Sequence, residues 1–166
     1  MHIISHNIFF KIGLERLFSQ KSSYIMNSNY ITLVDFGGFC MIFSNEIYDK
    51  FCCGPASEET LLDIFISIYP FAIKRISSAS QYIERIKKVS IDASLSKYRS
   101  LTSSEKNVLK MMLSGLSKNE VANMLNLNIK TIGNYKINAL HKLGLDNFKV
   151  LYWQYRQWIA YFNGKD

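Results

Sequence analysis

Three short amphipathic segments lie between Leu101 and Leu143, and each carries its own start signal. In Thr102-Ser103-Ser104-Glu105 a hydroxyl residue stands three positions ahead of a glutamate, an arrangement whose side chains satisfy two of the free N–H groups at a helix start. The apolar positions Val108, Leu109, Met111, Met112 and Leu113 follow. Ser117-Lys118-Asn119-Glu120 repeats the signal ahead of Val121, Ala122, Met124 and Leu125, with Gly115 as the turn between the two segments. Asn128 can cap a third helix running from Ile129 to about Leu143, and Gly144 stands where a helix stop is expected. Within that helix Ile132, Tyr135, Ala139 and Leu143 recur at spacings of 3, 4 and 4, which defines a buried stripe. Lys130, Asn134, Ile137 and His141 centre on the opposite face, with Gly133 and Asn138 at its margins. The pattern predicts a helix-turn-helix unit whose third helix turns a polar face outward.

The flanking segments read less sharply. A helix is predicted over Asn147–Phe162, with Leu151, Tyr155, Trp158 and Phe162 on one stripe and Trp153 well off it. Apolar residues on several faces suggest a partner surface; the other reading is that this helix packs on residues 1–100. Upstream, His2–Ser5 reads as a strand, Ile8–Phe18 as an amphipathic helix, and Ser23–Met26, Tyr30–Asp35 and Phe39–Phe43 as strands, with Gly37-Gly38 as a turn. Glu58–Asp63 begins an element that could be helix or strand, Phe71–Lys74 looks extended, and Ser80–Val89 is a helix. The polar stretch from Ser90 to Ser100 reads as a linker. Phe9, Phe10, Tyr24, Tyr30, Phe36, Phe39, Phe43, Tyr48 and Phe51 favour a packed core over a ligand pocket.

Charge changes the picture from fold to partner. The formal net charge is +7, and residues 101–166 hold nine Lys/Arg against four Asp/Glu while residues 1–100 hold eleven against nine. No acidic residue occurs between Glu120 and Asp146, whereas Lys130, Lys136, His141 and Lys142 fall in the third helix. A carboxylate-free helix face suits a surface lying against phosphates and base edges. Lys136 and Lys142 sit nearer the stripe's edges, where long side chains can reach flanking phosphates. From charge alone, a solvated basic face is an equal reading; the helix signals favour duplex DNA.

Leu101 to Glu105, Val108-Leu109, Gly115-Leu116-Ser117, Glu120-Val121-Ala122, Lys130-Thr131-Ile132 and Lys142-Leu143-Gly144 together resemble the DNA-binding domain of the LuxR/FixJ transcription regulators. The resemblance covers the last 65 or so residues. It implies a four-helix domain with Ile129–Leu143 as recognition helix and the final helix as a dimer interface (Leu151, Trp153, Tyr155, Trp158, Phe162). Groove contacts are implied for Lys130, Gly133, Asn134 and Ile137, and backbone contacts for Lys118, Asn119, Thr131 and Lys136; Asn138 and His141 join them from the outward face. Asn128 stands where Ser is usual and Tyr135 where His is common. Gly133 offers no side chain to a base, and Ile137 offers only apolar contact, which predicts modest intrinsic specificity. The first hundred residues resemble a shortened response-regulator receiver, with Phe10–Leu17 as its first helix and Leu33-Val34-Asp35 as the strand that ends in the phosphoacceptor. Ser5 and His6 replace the acidic pair that holds Mg²⁺, so Asp35 reads as a turn residue and not as a phosphoacceptor.

No basic region followed by a long apolar core and no run of about 18 apolar residues appears, so a cytoplasmic, non-membrane protein is expected. Three cysteines, Cys40, Cys52 and Cys53, fit reduced thiols better than a disulfide or redox pair, and neither metal-ligand nor catalytic spacing is present. No cofactor is expected. The expected fold class is α+β overall: an α/β regulatory or interaction domain over 1–89, a linker over 90–100, and an all-α four-helix LuxR-type domain over 101–166. The expected function is a non-enzymatic bacterial transcription regulator that binds double-stranded DNA as a homodimer, without phosphorylation control. The alternative is an accessory subunit or antagonist that heterodimerises with another regulator and binds DNA weakly alone.

Overall fold

A computed structural model describes residues 1–19, 31–45, 48–49, 57–91 and 101–163. The predicted strand over Ser23–Met26, the Cys52-Cys53 pair and most of the predicted linker lie outside them. In chain order the elements are β1 (His2–Ile4), α1 (Ile8–Ser19), β2 (Ile31–Asp35), β3 (Phe39–Ser44), α2 (Glu58–Ile68), β4 (Ala72–Lys74), α3 (Ala79–Ile91), α4 (Ser103–Leu113), α5 (Lys118–Leu125), α6 (Ile129–Lys142) and α7 (Phe148–Asn163). A 3-10 turn over Tyr69–Phe71 occupies the start of the segment expected to be extended.

The architecture is α+β, as the alternating and helical periods predicted. One unit comprises Met1–Ser57 with Phe71–Leu95, and the other Glu58–Pro70 with Ser96–Asp166. The expected division at residue 89 therefore needs correcting for residues 58–70, which pack with the helical unit.

In the first unit the sheet runs β1-β2-β3-β4, with β1 parallel to β2 and the other pairs antiparallel. The β1–α1–β2 segment gives the parallel pair, while the tight turn at Phe36–Gly38 sends β3 back along β2. Gly37 takes φ 90°, a conformation that side chains disfavour. Every residue of β2 is buried, the polar Thr32 and Asp35 included. Leu33 stands opposite Ile42, and both join Ile3, Leu14, Phe18, Ile73, Tyr82, Ile83 and Ile86 in one core. Cys40 lies in that core against the Tyr82 hydroxyl at 3.5 Å, and burial pushes its thiol up to about 12, which leaves it unreactive.

In the second unit α2 packs on α7 and also meets α4. Glu58 and Glu59 in its first turn suit the positive end of the helix. Phe65 sits 5.3 Å from the Tyr155 ring and 5.9 Å from Trp158, and the Trp158 indole donates to the Leu61 carbonyl at 3.1 Å. The Tyr69 hydroxyl donates to the Gln154 side chain in the same buried zone. Tyr155 and Trp158, expected at an interface between copies, thus pack on the chain's own α2; they and Leu151, expected there too, are 2%, 0% and 0% exposed. Phe162 is half-buried with its ring tilted against Trp158, the centroids 4.6 Å apart, while Trp153 stays 47% exposed.

Candidate nucleic-acid interface

The start signals read from the sequence are formed as hydrogen bonds. Thr102 and Glu105 exchange a reciprocal pair, the Thr102 N–H donating to the carboxylate at 2.7 Å and the Glu105 N–H to the hydroxyl at 3.3 Å. Ser117 and Glu120 repeat this at 2.7 and 3.3 Å. Asn128 accepts the Lys130 N–H at 2.8 Å and starts α6. At the other end of α6, the Leu145 N–H returns to the Leu140 carbonyl at 2.9 Å and Gly144 takes φ 72°, a left-handed stop that glycine accommodates. Gly115 plays the same part between α4 and α5 at φ 104°.

Packing then fixes how α6 is rotated. Ile132 is fully buried among Val108, Met112, Val121 and Ala122, with Met111, Leu116, Leu125, Tyr135 and Phe148 closing around them. Ala139 and Leu140 complete the inner side. With those positions held inward, Lys130, Asn134, Ile137 and His141, the four that helical spacing centred there, emerge as one exposed face, with Asn138 exposed at its margin. Tyr135 and Leu143 are half-buried where the spacing placed them inside.

Glu105 and Glu120, the two glutamates between Leu101 and Leu143, are committed to the caps, which keeps negative charge off the α6 face. Burial alone would raise the Glu105 carboxyl, but the Lys142 ammonium at 2.7 Å and the Thr102 N–H and hydroxyl outweigh it and hold it below the ordinary value of 4.5. The Ser117 hydroxyl and N–H likewise lower Glu120. Lys142, expected near flanking phosphates, is half-buried with its ammonium on Glu105. Lys136 is half-buried with its ammonium 6.0 Å from the Phe148 ring centre. Thr131 is half-buried, Asn119 exposed, and Lys118 half-buried at the start of α5.

Gly133, expected at the margin of the open face, is covered there rather than exposed. It is buried, and a Cβ added there would meet the Lys118 ammonium at 3.6 Å. The sequence carried no signal for this approach, because it joins residues on different helices.

The other unit holds a carboxylate at the end of β2. Asp35 is 6% exposed. It accepts from the Ser5 hydroxyl at 2.6 Å and the Gly37 N–H at 2.9 Å, and the Arg75 guanidinium stands 3.4 Å away. Arg75 also lies over the Phe10 ring at 4.7 Å. Among the described residues no three His, Cys, Asp or Glu side chains gather as metal ligands would, and no helix is long and apolar enough to cross a membrane.

Residues 99–153, about a third of the 166-residue chain, match the family described as bacterial regulatory proteins, luxR family. The matched segment takes in both capping boxes, all of α6 and the start of α7. Comparison with curated proteins and with solved structures found no match.

Proposed function

We propose that this chain is a transcription regulator that lays the open face of α6 in the major groove of duplex DNA. One observation carries the reading: a segment similar to luxR-family regulators presents, on its third helix, an exposed face with no carboxylate. Lys130, Asn134 and Ile137 meet base edges, with Asn138 and His141 beside them. Asn119, Thr131 and Lys136 meet the flanking phosphates and set the register. Asn134→Ala should reduce discrimination between a selected site and random duplex, whereas Lys136→Ala should weaken both alike. Titrations of both variants against both duplexes check this; equal loss of discrimination in the two variants would overturn the assignment of roles.

The protein acts as a homodimer in this reading. Its interface is the outer side of α7, where Val150, Tyr152 and Trp153 are 43%, 37% and 47% exposed, since the Leu151, Tyr155 and Trp158 stripe is taken by α2. It works in the cytoplasm, without a cofactor and without phosphorylation, because the Asp35 carboxylate is already engaged by Ser5, Gly37 and Arg75. A second reading, an accessory subunit in a heterodimer, is favoured by Ile137, an apolar side chain 48% exposed at the centre of the reading face. Failure of the purified chain to bind DNA without a partner would select it.

A further inference from the structure

A lysine from outside the recognition helix occupies the place that a side chain at residue 133 would take. Gly133 lies one position before Asn134 and three after Lys130, so its Cα faces the edge of the groove side of α6. Any other residue would extend a side chain from there past Lys118. Here the Lys118 ammonium comes within 3.6 Å of where that Cβ would begin. Lys118 starts α5, and the Ser117–Glu120 capping box fixes the backbone from which its side chain departs. The stem is half-buried, so the aliphatic part packs and the charge is carried to its end. Among the described residues the ammonium has no ion-pair or hydrogen-bond partner.

We propose that Lys118 is a specificity-determining residue that donates to base-edge acceptors in the major groove, in the space that Gly133 leaves open. This rests on the DNA-binding reading of α6. It replaces the phosphate role implied for Lys118 by resemblance, and it assigns Gly133 a purpose: the missing side chain admits the neighbouring cation. The acceptors that suit an ammonium in the major groove are guanine N7 and O6, so the base pair read through Lys118 is a G·C pair.

The test selects preferred duplexes from a random pool with the wild-type chain, then measures affinity for every single-base variant of the winner. Lys118→Met, which keeps the stem and removes the charge, should lower the preference at one G·C position about tenfold and leave the other positions unchanged. Gly133→Leu, with Lys118 intact, should lose the preference at that same position because its side chain displaces the ammonium. Gly133→Ala should retain it, since a Cβ at 3.6 Å is an ordinary contact. Thermal melts of all three establish that they fold. A uniform fall in affinity of Lys118→Met across all sequences, with the salt slope reduced by about one, would assign Lys118 to a phosphate and overturn the proposal. Different positions affected by Lys118→Met and Gly133→Leu would overturn it as well. A wild-type chain that binds no duplex would overturn the α6 reading and this assignment together, whereas a selective wild type with a uniform Lys118→Met effect would overturn only the latter.

Discussion

Glu105 does three things with one carboxylate: it closes the Thr102 capping box, accepts from Lys142 near the end of α6, and removes its charge from the surface. The cap was legible because its partners lie three residues apart. The ion pair was not, because Lys142 is 37 residues away and only the packing of α4 on α6 brings it near. Lys142 consequently read as a phosphate contact from its helical position alone. Glu105 is held below its ordinary carboxylate value, so it adds stability above about pH 4.5 and that stability is lost as pH falls through the lowered folded value. Glu105→Gln should destabilise the protein by about 1–3 kcal/mol at neutral pH, since it replaces the charge-assisted bond to Lys142 with a neutral one. It should also flatten the acid limb of stability against pH. Denaturant melts between pH 3 and pH 7 check both; an unchanged acid limb would show that Glu105 carries no linkage. Gly133 belongs to the same lesson, since its neighbour Lys118 arrives from another helix.

At the scale of elements, α2 is what the sequence conveyed least. Its six leading residues satisfied helical and strand periods alike, and nothing in a linear reading tied them to a segment ninety residues downstream. Burial demand settles the matter: the Leu151, Tyr155 and Trp158 stripe is too apolar to face water, and Leu61 and Phe65 cover it. The aromatic stripe was legible as a stripe, while its occupant was not, because a second copy and an internal helix satisfy the same chemistry. Asp63 adds a polar rim, with Lys110 at 2.6 Å and Lys106 at 3.0 Å. Phe65→Ala should cost about 3–5 kcal/mol, the range for deleting a buried aromatic, and Trp158→Phe about 1 kcal/mol for the lost indole bond to Leu61. Chemical denaturation followed by tryptophan fluorescence reports both. A Phe65→Ala loss below about 1 kcal/mol would mean that α2 does not cover α7 in solution.

Over the whole molecule, the local signals fared best. The caps, the turn glycines and the outward face of α6 all follow from spacing within one helix, and they agree with the observed geometry. In the first unit β1, α1, β2, β3 and α3 were readable from period and turn residues, but the boundary between units was not, since residues 58–70 lie within one unit's sequence and the other's core. Charge is partitioned by region in a way that suits the proposed work, with net +5 carried by residues 101–166 of the total of +7. The most direct test of DNA binding is the salt dependence of affinity of the purified full chain for random duplex and for a duplex from its own upstream region. The proposed contacts of Lys130 and Lys136 with the duplex predict log affinity falling linearly with log salt, with a slope of about −2 per protomer, a clear preference for one duplex, and a concentration dependence that reports the dimer. Weak binding, insensitive to salt and without preference, would contradict the account and point to the heterodimeric accessory instead.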